Sequence, residues 1–334
     1  MSQRLLVLVA LFLAACAGPQ IQSDSNTTQA AALYPQAAVM ADGYRLPLAM
    51  YRPAGKPRAI MLGLHGFNDY HNAFREPGRY LAARGILTAA YDQRGFGATE
   101  QRGIWPGRNA LQQDAATVAR LLCRQYPGTP LYLLGESMGG AVSIMTAQPG
   151  EDDCIQGVIL VAPAIWGWQT MPLWQATVLR LAAWLFPASR VTADGLDIKP
   201  SDNIEMLRAL GRDPMVIKAT RIDTLYGLTG LMEEAYRNSG NVTRPVLLLY
   251  GEHDEVIPRT AMCRLLTGQS GLRDVAWRLV LYPEGYHMLT RDLQAATVLN
   301  DIAAWITGGR DAVLPSGFAV SPGGGALDVF CAGT

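Results

Sequence analysis

A serine with glycine two residues before and two after it, Gly135-Glu136-Ser137-Met138-Gly139, follows the apolar run 131–134 and opens a helical stretch. At such a strand-to-helix turn the small flanking residues let the chain bend sharply, so that the hydroxyl stands clear of its neighbours. A serine hydroxyl attacks a carbonyl only when a base takes its proton, and that base must itself be oriented by an acid. The chain supplies both downstream, in that order: Asp254 in the loop GEHDEVIP after the run 246–250, and His287 in the loop EGYHML after the run 276–282. Ser137 is therefore read as nucleophile, His287 as base and Asp254 as the orienting acid. Of the other three histidines, His65 precedes the serine, His71 starts a helix and His253 adjoins the acid; all are read as structural. Glu252 and Glu255 compete with Asp254 but are read as solvated. A tetrahedral oxyanion needs two preorganised donors. The N–H of Met138 is the first, and the N–H of Phe67, in His65-Gly66-Phe67 after the run 58–64, is the candidate for the second. This chemistry is acyl transfer through a covalent serine intermediate, with no metal or organic cofactor.

The elements that must position these residues alternate. Strands are expected at 37–40, 44–52, 58–64, 86–91, 131–134, 157–161, 246–250 and 276–282, several of them continuous apolar runs as found where both faces of a sheet are covered. Helices are expected at about 72–84, 109–125, 138–148, 258–267 and 291–306. This predicts an α/β fold with a mostly parallel central sheet of about eight strands, helices on both faces and a helical insertion after the sixth strand. The boundaries are a first core part at 37–163, the insertion at 164–242, a second core part at 243–307 and a tail at 308–334. No strand is expected within 164–242. Its first part, 164–187, carries one charge, Arg180, and four of the seven tryptophans, Trp166, Trp168, Trp174 and Trp184. It reads either as an ordinary buried helix or as a lid whose apolar surface lines an acyl cleft or touches lipid.

The N-terminus carries Arg4, the apolar run 5–13 and the small residues Ala14 and Ala15 before Cys16, a secretory signal too short to span a bilayer. Leu13-Ala14-Ala15-Cys16 resembles the bacterial lipoprotein box, so that 1–15 would be a signal peptide and Cys16 the acylated new N-terminus. Ordinary signal cleavage after Ala17 is the alternative. With Ala at position 17, the lipoprotein reading implies an outer-membrane protein facing the periplasm. Residues 16–36 would be a small, polar, flexible tether. The chain has 28 basic and 28 acidic residues, only three of them lysines (Lys56, Lys199, Lys218), so no basic stripe suits a nucleic-acid partner.

With Cys16 lipidated, four cysteines remain in an oxidising compartment. Cys123 near the end of the helix at 109–125 and Cys154 in the loop before 157–161 both lie at the edge where strands begin. They form the natural first pair, which leaves Cys263 to hold the tail through Cys331. Four free thiols are the alternative.

Together, His65-Gly66, the segment YDQRGFG at 91–97, the turn GESMGG, the loop GEHDEVIP and the segment YHML at 286–289 resemble the α/β-hydrolase superfamily, in its serine-aminopeptidase-like branch that includes monoacylglycerol lipases and lysophospholipases. The resemblance covers about residues 37–307. It implies a triad of Ser137, Asp254 and His287 and oxyanion donors on Phe67 and Met138. It also implies structural roles for Asp92 and Arg94. Phe67, where the family often has a small residue, is a departure. The expected substrate is a single-chain lipid, a monoacylglycerol or lysophospholipid, or a related small ester. Acyl transfer, aminopeptidase activity and a non-catalytic binding lipoprotein are the alternatives.

Overall fold

The apolar runs become strands because both of their faces can be covered. β4 (Ala59–Leu64), β5 (Ile86–Tyr91) and β10 (Val246–Gly251) are buried at every position. The structure, a computed structural model, describes residues 18–23, 27–150, 154–193, 195–268, 277–320 and 325–332. The proposed signal peptide and Cys16 lie outside the described residues. β5, β4, β6 (Leu131–Glu136), β7 (Ile155–Val161), β10 and β11 (Trp277–Tyr282) lie side by side in that order, all parallel. β1 (Ala32–Tyr34), β2 (Ala37–Val39) and β3 (Arg45–Tyr51) extend one edge antiparallel, and β12 (Ala319–Val320) closes the other. The eight expected strands are all present. β1 and β12 bring the sheet to ten strands among the described residues.

Alternate side chains along each strand enter different cores, as a period of two requires. Leu133, Leu160 and Leu248 pack with Val118, Leu122 and Val142 on one face. Val118 and Leu122 belong to α2 (Arg108–Gln125) and Val142 to α3 (Met138–Thr146). On the opposite face Leu134, Ile159 and Leu249 pack with Leu81 of α1 (Arg75–Ala82) and with Ile302 and Trp305 of α8 (Ala295–Gly308). Each such fully buried side chain contributes roughly 1.5–3 kcal/mol. This two-faced core holds the sheet rigid beneath the loops at the carboxyl ends of its strands, where open α/β sheets collect their chemistry.

The insertion contains α4 (Leu173–Leu185), α5 (Ile204–Arg212) and α6 (Ile222–Asn238). Contrary to expectation it also holds two strands, β8 (Arg190–Thr192) paired antiparallel with β9 (Ala219–Arg221). Three residues each, RVT and ATR are too short and too polar to register as apolar runs. α4 is not an ordinary buried helix: it buries only Ala176 and Ala183, and leaves Leu173, Trp174, Val178, Leu181 and Trp184 exposed, with Phe186 just beyond it. Among the described residues no helix is long and apolar enough to cross a membrane.

Two segments are more ordered than their composition predicts. In the stretch expected to be a tether, Ile21 bridges to Trp105, the Gln22 N–H donates to the Trp105 carbonyl, and residues 32–34 form β1. The tail contributes β12 and α9 (Gly325–Cys331), and buries Leu314, Leu327 and Phe330. Both segments use backbone hydrogen bonds to an existing sheet or loop, which composition does not reveal. Cys123 is bonded to Cys154 and Cys263 to Cys331, with α-carbons 6.4 and 5.7 Å apart. Cys263 lies on α7 (Arg259–Gly268), so the second bridge fastens the tail to the core.

Candidate active site

Ser137 sits between β6 and α3 at φ 53°, ψ −115°, a left-handed conformation that costs a non-glycine residue energy and persists only when its surroundings enforce it. The surroundings are close. A β-carbon on Gly135 would collide with the backbone of Gly139, and one on Gly139 with the carbonyl of Leu64. The two glycines therefore let β6, α3 and β4 approach one another at the bend, as the motif implies. The Ser137 N–H donates to the Val161 carbonyl, and its own carbonyl accepts from Ala164 and Gly140, all at 2.9 Å. Half-buried, Ser137 is held by its backbone.

Asp254 and His287 come together from the loops after β10 and β11. His287 Nδ1 lies 2.9 Å from Asp254 Oδ2, and both residues are buried. The other carboxylate oxygen accepts the N–H groups of Val256 and Ile257 at 2.8 and 2.9 Å. Burial alone would lower the pKa of His287; the Asp254 charge, its hydrogen bond and the Glu136 charge outweigh burial and the opposing Arg291, and raise it above 6.5. Met138 opens α3 and Phe67 lies in the loop after β4, its ring edge-on to Phe96 with centroids 5.5 Å apart. Asn68, next in that loop, has φ 66°.

The competing residues have other tasks. His65 is fully buried, lies 2.8 Å from the Gly66 carbonyl through Nδ1 and accepts the Gln93 N–H at Nε2, and burial lowers its pKa. His71 pairs with Asp92, which also takes the N–H groups of His71 and Ala98. Arg94 is bidentate to Asp114 and reaches Asp42. Asp92 and Arg94 thus hold the loop after β5. His253 is exposed against Tyr286. Glu255 is exposed, as expected for a solvated side chain, yet it accepts the Lys199 N–H.

Sequence reasoning missed a buried ionic group behind the turn. Arg291 Nη1 lies 2.8 Å from Asp69 Oδ2, its Nη2 lies 2.5 Å from Glu136 Oε1, and Thr290 donates to Glu136 Oε2 at 3.0 Å. The available signal was Glu136 itself, a carboxylate at the end of a buried strand, which requires a partner. The insertion was also not expected to reach every loop of the site. Ile217 and Thr220 bond Asn68, Lys199 bonds Glu255, the Pro200 carbonyl accepts from Met288, and Ser201 donates to Asp292 at 2.6 Å.

No group of three or more His, Cys, Asp or Glu side chains suited to hold a metal ion occurs among the described residues. The sequence profile of the serine aminopeptidase S33 family matches residues 55–294. Monoglyceride lipase of Mus musculus is 28% identical over 277 residues, covering 80% of this chain and 89% of its own. Monoacylglycerol lipase of Mycolicibacterium smegmatis is 27% identical over 271 residues, covering 79% and 93%. Among solved structures, a soluble variant of monoglyceride lipase from Saccharomyces cerevisiae superposes with a TM-score of 0.68 at 22% identity, over 87% of this chain and 99% of that one. The family profile runs from just before β4 to just before α8, through the serine turn and the loops of Asp254 and His287. This chain belongs to the serine aminopeptidase S33 family and has the α/β-hydrolase fold.

Proposed function

We propose that this protein hydrolyses carboxylic esters carrying a single acyl chain, monoacylglycerol or lysophospholipid, by a Ser137–His287–Asp254 acyl-enzyme mechanism. The observation that carries the reading is the buried Asp254–His287 pair, raised in basicity, at the same edge of the sheet as the strained Ser137 turn. With Nδ1 committed to Asp254, the imidazole offers Nε2 to the serine proton. Ser137 Oγ attacks the ester carbonyl, and the Met138 and Phe67 N–H groups receive the oxyanion. His287 returns the proton to the leaving alcohol, and a water activated at the same nitrogen then releases the fatty acid and frees the serine. The similarity to monoglyceride lipases and the exposed apolar face of α4 support a lipid substrate.

The chain acts at a membrane. Cys16 is the acylated residue and the protein an outer-membrane lipoprotein facing the periplasm, several acyl chains at roughly 0.8 kcal/mol per buried methylene making the attachment durable. The path of the N-terminal segment supports this arrangement. The Gln20 N–H donates to Asp223 at 3.1 Å, and the Asp223 N–H donates to the Pro187 carbonyl, beside Trp184 and Phe186 at the end of α4. Gln20, four residues after Cys16 in sequence, is thus tied to the end of the helix whose apolar face is exposed.

The test is turnover by the soluble domain, with residues 1–16 removed, across p-nitrophenyl esters, monoacylglycerols, lysophospholipids and aminoacyl amides. Wild type should turn over single-chain esters, and Ser137→Ala should lose turnover and fluorophosphonate labelling by several powers of ten while staying folded. Preference for aminoacyl amides, or transfer to an added alcohol in place of hydrolysis, would establish an aminopeptidase or acyltransferase instead. For the anchor, the full-length chain made in a Gram-negative host should carry acyl mass on Cys16. An unlipidated mature chain beginning at Gly18 would establish ordinary cleavage.

A further inference from the structure

We propose that Arg291 is a positioning residue whose guanidinium, through Asp69 and Glu136, holds the oxyanion loop, the serine turn and the histidine loop in one mutual register. The inference rests on the roles given above to Ser137, His287 and Phe67. Glu136 immediately precedes Ser137, Asp69 follows Phe67 by two residues, and Arg291 follows His287 by four. One planar cation therefore touches an anchor in each of the three loops whose relative placement the reaction requires.

Every part of the group is itself fixed. Asp69 takes the Tyr70 N–H on its other oxygen at 2.9 Å, and Glu136 takes the Thr290 hydroxyl. The Arg291 carbonyl accepts from Asn203 of the insertion, and its N–H donates to Met288. The Arg291, Asp69 and Glu136 side chains are 8%, 8% and 3% exposed. Rigid guanidinium geometry suits such bridging, because two forked donors can meet two carboxylates at set angles, which a single ammonium cannot do.

Stability does not account for this group. A buried ion cluster seldom outperforms apolar side chains of the same volume. Here one cation faces two carboxylates, and Arg291 Nε is buried with no hydrogen-bond partner among the described residues. The benefit falls on geometry: misplacement of a reacting group by about 1 Å can cost about 10²-fold in rate. The cluster also faces the base. The charges that weigh most on His287 are Asp254 from the loop after β10, Glu136 from the end of β6, and Arg291 from its own loop; the buried Asp292 carboxylate of that loop accepts the neighbouring Tyr286 N–H.

Two variants test the inference in the soluble domain with a p-nitrophenyl ester, folding being checked by circular dichroism and thermal unfolding. Arg291→Lys keeps the charge but loses the fork; kcat should fall about 10- to 100-fold with KM within about twofold. Glu136→Gln keeps an acceptor for Thr290 and removes a negative charge facing His287, so the acid limb of kcat/KM should move to lower pH. Should Arg291→Lys fail to fold, Glu136→Gln decides by its kcat, which should also fall at least about tenfold with KM within about twofold. Folded variants with wild-type kcat overturn the inference, whatever the acid limb does. Ser137→Ala, run in parallel, separates the two levels: an active Ser137→Ala defeats the catalytic reading, whereas an inactive Ser137→Ala beside a wild-type Arg291→Lys and Glu136→Gln defeats only this one.

Discussion

Asp254 gives one carboxylate oxygen to His287 Nδ1 at 2.9 Å and the other to its own loop, where the Val256 and Ile257 N–H groups donate to it. The acid cannot rotate away without breaking three hydrogen bonds, so the ring it holds has a single orientation and a single tautomer while neutral.

Asp254→Asn is therefore expected to preserve the fold and most of the loop geometry while turning an acceptor for the Nδ1 proton into a donor. The wrong tautomer should lower kcat by about 10⁴-fold. Steady-state turnover of a chromogenic ester checks this, and a loss of less than tenfold would mean that another carboxylate orients the ring.

The raised pKa of His287 sets the sign of the pH dependence. In the proposed mechanism only the neutral imidazole accepts the serine proton, so kcat/KM should rise with pH through a midpoint above 6.5. The same group contributes stability that is fully present below the unfolded-state imidazole pKa and is lost as pH rises through the folded value. Urea midpoints of wild type and His287→Gln should accordingly differ more at pH 5 than at pH 9. A midpoint of activity below 6.5 would contradict the electrostatic picture of the site.

Gly139→Ala tests the packing of the serine turn. The added methyl meets the Leu64 carbonyl, a backbone atom that cannot swing aside, and α3 must shift away from β4. Such overpacking typically costs about 1–3 kcal/mol. Activity should fall further than the thermal midpoint suggests, because the shift moves Ser137 and the Met138 N–H together. Wild-type kcat in this variant would show that the turn tolerates displacement.

The Cys263–Cys331 bridge closes a loop of 68 residues and the Cys123–Cys154 bridge one of 31. In the chain-entropy model each is worth about 3–5 kcal/mol, slightly more for the longer loop. Cys331→Ser should lower the urea midpoint and expose the tail to protease while leaving kcat close to wild type, since the tail lies outside the site. Non-reduced peptide mapping of wild type should recover these two pairs, and a Cys123–Cys331 peptide would refute the placement.

Features that depend on neighbours in the chain were legible from the sequence. The turn at Ser137 is a contest between backbone strain and side-chain size over five residues. The strands of the parallel core are apolar runs because both faces are covered, so six of them, β4, β5, β6, β7, β10 and β11, could be drawn to within a few residues. The order serine, acid, histidine follows from the strands that carry them, and the cysteine pairing from the edge of the sheet to which each belongs. Tertiary structure alone decided what rests on hydrogen bonds or charges between distant segments. β8 and β9 are three-residue strands that exist because they have each other. The proposed tether and the tail are ordered by unpaired backbone groups they find on the body, whatever their composition. Arg291 meets partners 222 and 155 residues away, Asp69 and Glu136. No local pattern encodes that meeting, because a buried charge announces in its own sequence only that it needs a partner, and the fold determines which one it gets.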